Sequence, residues 1–234
     1  MEEVRYWIVG GVVRDQILGK QSKDVDFAVE ASSYEAMKAN LVSKGVEIYL
    51  ETPEFFTIRG NHPKYKGVDY VLCRKDGQYK DGRHPERVER GTIFDDLARR
   101  DFTMNALAVE DATSARIVDP YGGKNDIQQK IIRCVGNPDD RFGEDALRIL
   151  RAVRFAVKLG FEIEDQTSLA MIKHSEKVSL LPFDRIREEL HKSFVCDTVK
   201  TIKMLSQYGL LELIFSKDCN LWLMPTNKTK KGTL

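Results

Sequence analysis

Apolar residues recur in two rhythms along this chain, and the rhythm changes near its middle. In the first half short apolar runs alternate with polar residues or end at glycine, which is the period of β-strands. Tyr6-Trp7-Ile8-Val9 stops at Gly10-Gly11, after which Val12, Val13, Ile17 and Leu18 return at helical spacing until Gly19. That predicts strand, tight turn and helix. Residues 24–29 alternate charged and apolar, so that Val25, Phe27 and Val29 face a core while Asp24 and Asp26 share the opposite face. A helix over 33–44 and strands over 46–50, 55–60 and 67–72 follow. Residues 74–90 are charged, carry glycine and proline and hold few apolar positions, which predicts a mobile loop. From Thr92 the pattern gives a short helix to Arg99 or Arg100, a strand over Met104-Asn105-Ala106-Leu107-Ala108-Val109, another at Ile117-Val118, a turn at Pro120 to Gly123, and a last strand over 131–135.

After Asn137-Pro138 the period is helical throughout: about 139–158, 165–176, 184–193 and 197–208, punctuated by Gly160, Pro182 and Gly209. The expected fold class is therefore α+β, a head with a mixed or antiparallel sheet and helices (1–136) followed by an all-α neck (137–223). Residues 224–234, with Lys228, Lys230 and Lys231, read as a polar, frayed tail.

Composition narrows the function by exclusion. Lys+Arg of 37 against Asp+Glu of 36 leaves a net charge of +1, so any nucleic-acid site must come from local clustering. Cys73, Cys134, Cys196 and Cys219 form no C-x-x-C pair and the four histidines show no metal-ligand spacing. Zinc sites and a disulfide framework are not expected. With no long apolar run and no leader-like segment, a cytoplasmic location and no membrane partner are expected.

Three clusters of residues suggest chemistry. In the first, Gly10 and Gly11 lie between strand and helix, where backbone N–H groups can approach a phosphate, and Arg14 can fork onto its oxygens. Asp24 and Asp26 are candidate ligands for a pair of Mg²⁺ ions, as phosphoryl transfer requires. A phosphate-binding P-loop around Gly19-Lys20 is excluded, because Arg14 stands where that pattern needs glycine and Gln21 where it needs a hydroxyl. The second cluster is Asp96-Leu97-Ala98-Arg99-Arg100-Asp101-Phe102-Thr103-Met104-Asn105-Ala106-Leu107. Asn105 there sits among apolar residues and needs partners, a nucleotide sugar or phosphate being one. In the third, Arg148, Arg151 and Arg154 step by three along a helix, with Glu144 and Asp145 one turn earlier to brace Arg148. Arginine without lysine or glutamine suits a rigid template for a base edge or a triphosphate.

These blocks resemble the motifs of the class II tRNA nucleotidyltransferase and bacterial poly(A) polymerase family, within the polymerase-β-like nucleotidyltransferase superfamily. The likeness runs from residue 5 to about 190. It rests on G-G-x-V-R-D with D-x-D at Gly10 to Asp26, R-R-D-F-T-x-N-A-L-A at Arg99 to Ala108, Gly122, Gly123 and Asp126, E-D-x-x-R-x-L-R-x-x-R-F at Glu144 to Phe155, and Arg185 to Leu190. The resemblance implies that Asp24 and Asp26 hold catalytic Mg²⁺, with Asp69 a candidate third carboxylate. It implies that Gly11, Arg14 and Arg100 contact the phosphates or sugar of the nucleotide. Asp145 and Arg148 would read the base of CTP or ATP, with Arg151 and Arg154 supporting that pocket. The loop at Arg83-His84-Pro85 matches a flexible loop that helps the pocket change from C to A.

The implied reaction is addition of CMP and AMP from CTP and ATP to a tRNA 3′ end, with pyrophosphate released. Poly(A) addition, C-C-only or A-only addition, and a non-catalytic RNA-binding module remain as alternatives, and the oligomeric state stays open. Family members usually continue into further helical domains that grip tRNA, whereas this chain stops soon after Trp222.

Overall fold

The structure, a computed structural model, describes residues 4–21, 25–76, 88–110 and 116–215. Asp24, the tip of the charged loop with Arg83 and His84, and everything after Phe215, including the expected tail, lie outside the described residues.

In chain order the head contains β1 (Arg5–Val9), α1 (Gly11–Ile17), β2 (Asp26–Glu30), α2 (Tyr34–Ser43), β3 (Glu47–Thr52), β4 (Thr57–Asn61), β5 (Val68–Leu72), β6 (Arg74–Asp76), β7 (Val88–Arg90), α3 (Ile93–Ala98), β8 (Ala108–Glu110), β9 (Ile117–Val118) and α4 (Gly123–Gln129). Then come β10 (Ile131–Ile132), α5 (Pro138–Glu144), α6 (Leu147–Leu159), β11 (Glu162–Ile163), α7 (Asp165–Lys173), α8 (Phe183–Cys196), α9 (Thr198–Gln207) and α10 (Leu210–Phe215). Seven strands form one sheet in the order β3-β4-β5-β2-β1-β8-β9. All neighbours are antiparallel except β2 and β5. The α+β expectation holds: a mostly antiparallel sheet with helices, followed by a helical neck.

Strand alternation sends side chains to two different layers. Tyr6, Phe27, Val29, Ile58 and Tyr70 meet Met37 and Leu41 of α2 on one face. Trp7, Val9 and Ala28 meet Ile93 and Leu97 of α3 on the other. Asp26 shares a face with Ala28, two residues on, and therefore with α3. The largest cluster crosses residue 136: Val13, Phe102, Met104, Leu107 and Ile127 pack with Ile149, Leu150, Val153 and Phe155 of α6 and with Leu190 and Leu205 beyond it. Head and neck thus share a core, and β10 pairs in parallel with β11 across the same point.

Four expectations are corrected. The apolar run at 104–109 is not one strand: Thr103–Asn105 form a 3₁₀ turn and only Ala108–Glu110 extend the sheet. Met104, Ala106 and Leu107 are buried all round, and a run without alternation does not distinguish turn from strand. The strand expected at 131–135 is only Ile131–Ile132. The charged loop is anchored at its base, because β6 and β7 pair antiparallel as Arg74↔Arg90, Lys75↔Glu89 and Asp76↔Val88. The helix expected over 139–158 breaks at Asp145, whose backbone is extended (φ −150°, ψ 102°). Its carboxylate accepts the Leu147 N–H at 2.9 Å and starts a new helix, α6.

Candidate active site

The break at Asp145 turns one face of α6 toward the end of the sheet where β1 finishes and β2 begins. Between them lies a cleft of about 490 Å³ lined by Gly10, Gly11, Asp26, Arg100, Asp145 and Arg148 together with Arg151, Arg154, Lys158 and Arg185. Among the described residues this cleft gathers nearly all of the sequence-derived candidates. Glu144 stands behind it and Asp69 beside it.

On the head side, Gly10 adopts φ +75° and its N–H donates to the Leu107 carbonyl at 3.1 Å. A Cβ built there would lie 2.8 Å from Arg100 Nη1, the movable end of that side chain, so it is the left-handed φ that favours glycine here. The Arg14 guanidinium is buried beneath the turn. Its Nη1 donates to Asn105 Oδ1 at 2.6 Å, and its Nη2 to Asp15 Oδ1 at 2.7 Å. Asn105 Nδ2 donates in turn to Asp101 Oδ1 at 3.0 Å. The amide that the sequence left in search of a partner therefore finds two within the protein.

Asp101 is the joint between the walls. Its other oxygen accepts Nε and Nη2 of Arg151 at 2.8 and 2.5 Å, an ion pair across 50 residues of sequence. Burial alone would raise its carboxyl pKa, but Arg151 and the Asn105 amide outweigh that and hold it at about 2. Arg100 depends on Asp96, which is wholly buried and which opens the second cluster without a role assigned from sequence. Asp96 accepts from Nε and Nη2 of Arg100 at 3.1 and 2.9 Å and also from Arg99. Here too burial opposes ionisation, and the two guanidiniums hold the carboxyl at about 2. The clue was present, since Asp96 lies three and four residues before the two arginines on a predicted helix.

On the neck side, Glu144 braces Arg148 at 2.7 Å, as expected, whereas Asp145 does not. The Asp145 carboxylate instead accepts the Leu147 N–H at the start of α6, and the residue lines the cleft. Arg148 Nη1 also donates to the Arg141 carbonyl and Nη2 to the Arg99 carbonyl, each at 3.0 Å. Of the guanidinium donors, Nε–H and one Nη2–H remain for a ligand. Arg154 Nε donates to Glu189 of α8 at 2.6 Å. Phe155, which closes the arginine motif but was given no role from the sequence, carries three guanidiniums over its ring: Arg154 at 4.1 Å, Arg14 at 5.2 Å and Arg151 at 5.5 Å.

Asp26 is exposed at the cleft, a hard oxygen donor of the type Mg²⁺ takes. Asp69 is its register partner on β5, but both its carboxylate oxygens accept from Arg59. No helix among the described residues is long and apolar enough to cross a membrane.

Comparison with known proteins gives a consistent picture. Residues 6–133 match the family described as the poly A polymerase head domain, and residues 160–218 the probable RNA and SrmB-binding site of polymerase A. The CCA-adding enzyme of Oceanobacillus iheyensis is 42% identical over 189 residues, 80% of this chain and 45% of that protein. A crystal structure of the Bacillus stearothermophilus CCA-adding enzyme in complex with CTP superposes with a TM-score of 0.77 at 32% identity, covering 88% of this chain and 49% of that one. A tRNA nucleotidyltransferase complexed with a primer tRNA and an incoming ATP analog gives a TM-score of 0.76 at 32% identity, over 91% of this chain and 60% of that one. The chain spans about half the length of the curated relatives it matches, 45% and 50% for two of them.

Proposed function

This chain belongs to the poly(A) polymerase head-domain family, which includes the CCA-adding enzymes, and on that premise we propose that it adds CMP and AMP from CTP and ATP to the 3′ end of tRNA. The observation that carries this reading is the composition of one cleft. A glycine turn with Asp26 forms one wall, and Asp145 with Arg148 forms the end of the other.

Asp145 offers an acceptor and Arg148 offers donors. Cytosine and adenine each present an exocyclic amino donor beside a ring-nitrogen acceptor on the Watson–Crick edge, whereas guanine and uracil present the reverse. A single acceptor–donor pair can therefore accept both C and A and leave G and U with unpaired groups, a mismatch that is costly when buried. Arg151 and Arg154, held by Asp101 and Glu189, keep their cationic groups beside the triphosphate without reorganising on binding. The Gly10-Gly11 turn brings backbone close to the α-phosphate, with Arg100 stacked over it. The RNA 3′ oxygen attacks the α-phosphorus, a new P–O bond forms, and the bond to the β-phosphate breaks to release pyrophosphate.

Asp26, with Asp24, would hold the divalent ions, and Mg²⁺ bound there would supply charge neutralisation and activation of the attacking hydroxyl. In this reading the head (1–136) carries the chemistry and the neck (137–223) the choice of nucleotide. The test is incorporation of each labelled nucleotide, with Mg²⁺, into tRNA transcripts ending before C-C-A, after C and after C-C. Two C additions and one A on tRNA alone support the reading. Long A tracts on any RNA, or C-only or A-only addition, overturn it.

A further inference from the structure

One carboxylate spans the break between α5 and α6. Glu144 is the last residue of α5, and its two oxygens go to different guanidiniums. Oε1 accepts from Nη2 of Arg141, and Oε2 accepts from Nη1 of Arg148 at 2.7 Å. The two arginines are joined a second time, because Arg148 Nη1 also donates to the Arg141 carbonyl. Both then reach across to the head. Arg141 Nη1 donates to the Ala98 carbonyl and Arg148 Nη2 to that of Arg99, each at 3.0 Å. Those carbonyls close α3, at the end where backbone acceptors lack helical partners and the helix dipole favours cations.

Arg148 lines the cleft and Arg141 does not. What Arg141 governs is how Arg148 spends its donors. Both N–H groups of Arg148 Nη1 are used, on Glu144 and on the Arg141 carbonyl, and one of Nη2 is used on Arg99. Nε–H and the second Nη2–H are left for a base. A carboxylate can take a guanidinium at both of its oxygens, so Glu144 competes with the base for these same donors. Arg141 removes that competition by occupying Oε1. Without Arg141, Oε1 has lost its cation, and the guanidinium already bound at Oε2 can close on both oxygens at the expense of the cleft.

We infer that Arg141 is a positioning residue for the choice of nucleotide: by holding the second oxygen of Glu144, it keeps the two remaining donors of Arg148 free for the base. This rests on the proposed reading of Asp145 and Arg148 as the groups that meet the base. A residue that merely tied α5 to the end of α3 would affect every nucleotide alike, whereas one that acts through Arg148 changes their ratio.

The experiment is equilibrium binding of CTP and UTP to the full chain, in Mg²⁺, comparing wild type with Arg141→Ala, Arg148→Ala and the double variant. Arg141→Ala is expected to lower the ratio of CTP to UTP affinity by about tenfold, chiefly through weaker CTP binding. In the Arg148→Ala background the same change should leave the ratio unmoved, because nothing remains to be positioned. Arg141→Lys keeps a charge at Glu144 but lacks the fork that also reaches Ala98, and it should recover part of the ratio. CTP and UTP weakened by the same factor in Arg141→Ala would show a purely structural role and overturn the assignment. An unchanged affinity for both overturns it too, as does a further loss of ratio on top of Arg148→Ala. If Arg148→Ala keeps the wild-type ratio, or wild type does not distinguish CTP from UTP, the underlying base-reading proposal fails first and this one with it. Thermal unfolding checks that each variant is folded. Arg141→Met, which keeps the length of the side chain without its donors, carries the same expectation should Arg141→Ala not fold.

Discussion

On the head side the cleft is made of backbone and short side chains: a glycine at φ +75°, the N–H groups that follow it, and an aspartate at the first position of β2. On the neck side it is made of long guanidinium groups, Arg148 carried by Glu144 one turn earlier and Arg151 and Arg154 by carboxylates distant in sequence. The head wall is fixed by local conformation, and a single side chain added at Gly10 meets Arg100 at once. The neck wall is fixed by ion pairs, of which Asp101 with Arg151 reaches across to the head. On the proposed reading, a site that must hold phosphates in one place but accept two different bases gains from this division.

The comparison breaks most completely at Asp26. Asp26→Ala should abolish nucleotide incorporation while CTP binding stays measurable, since the arginines and the glycine turn are left intact. Normal incorporation by this variant would remove the head wall from the chemistry. A smaller effect tests the joint. Asp101→Asn leaves Arg151 without its carboxylate and should lower kcat/KM by about tenfold, with a destabilisation of roughly 2–4 kcal/mol near neutral pH from breaking a buried pair. The pH dependence has a definite sign. Asp101 is depressed to about 2 in the folded chain, against about 3.9 for a free aspartate, so its contribution is fully present above pH 4. It is lost as pH falls toward 2. The gap in stability between wild type and Asp101→Asn, followed by denaturant titration, should therefore narrow across that window; a gap that widens would contradict the ion pair.

How much of this was legible in sequence follows the same division. The strand–glycine–helix start and the face on which Asp26 stands could be read from residue spacing, because neighbours in sequence make them. The arginine stripe was legible as a stripe. Its partners were mostly not, since Asp101 lies 50 residues from Arg151 and Glu189 lies 35 from Arg154. Glu144 was found because it is one turn away from Arg148. Asp145 was placed beside it as a second brace, but its backbone is extended where α5 ends and its carboxylate accepts the Leu147 N–H instead. Phe155 reads as one more apolar helix position, and only the fold brings three guanidiniums over it.

The central claim is that the neck wall selects the nucleotide. The most direct measurement is the relative incorporation of CTP, ATP, GTP and UTP by wild type and Arg148→Ala on tRNA ending before C-C-A and after C-C. The account predicts that the variant still transfers nucleotides but admits GTP and UTP. An Arg148→Ala chain that keeps full discrimination would contradict it.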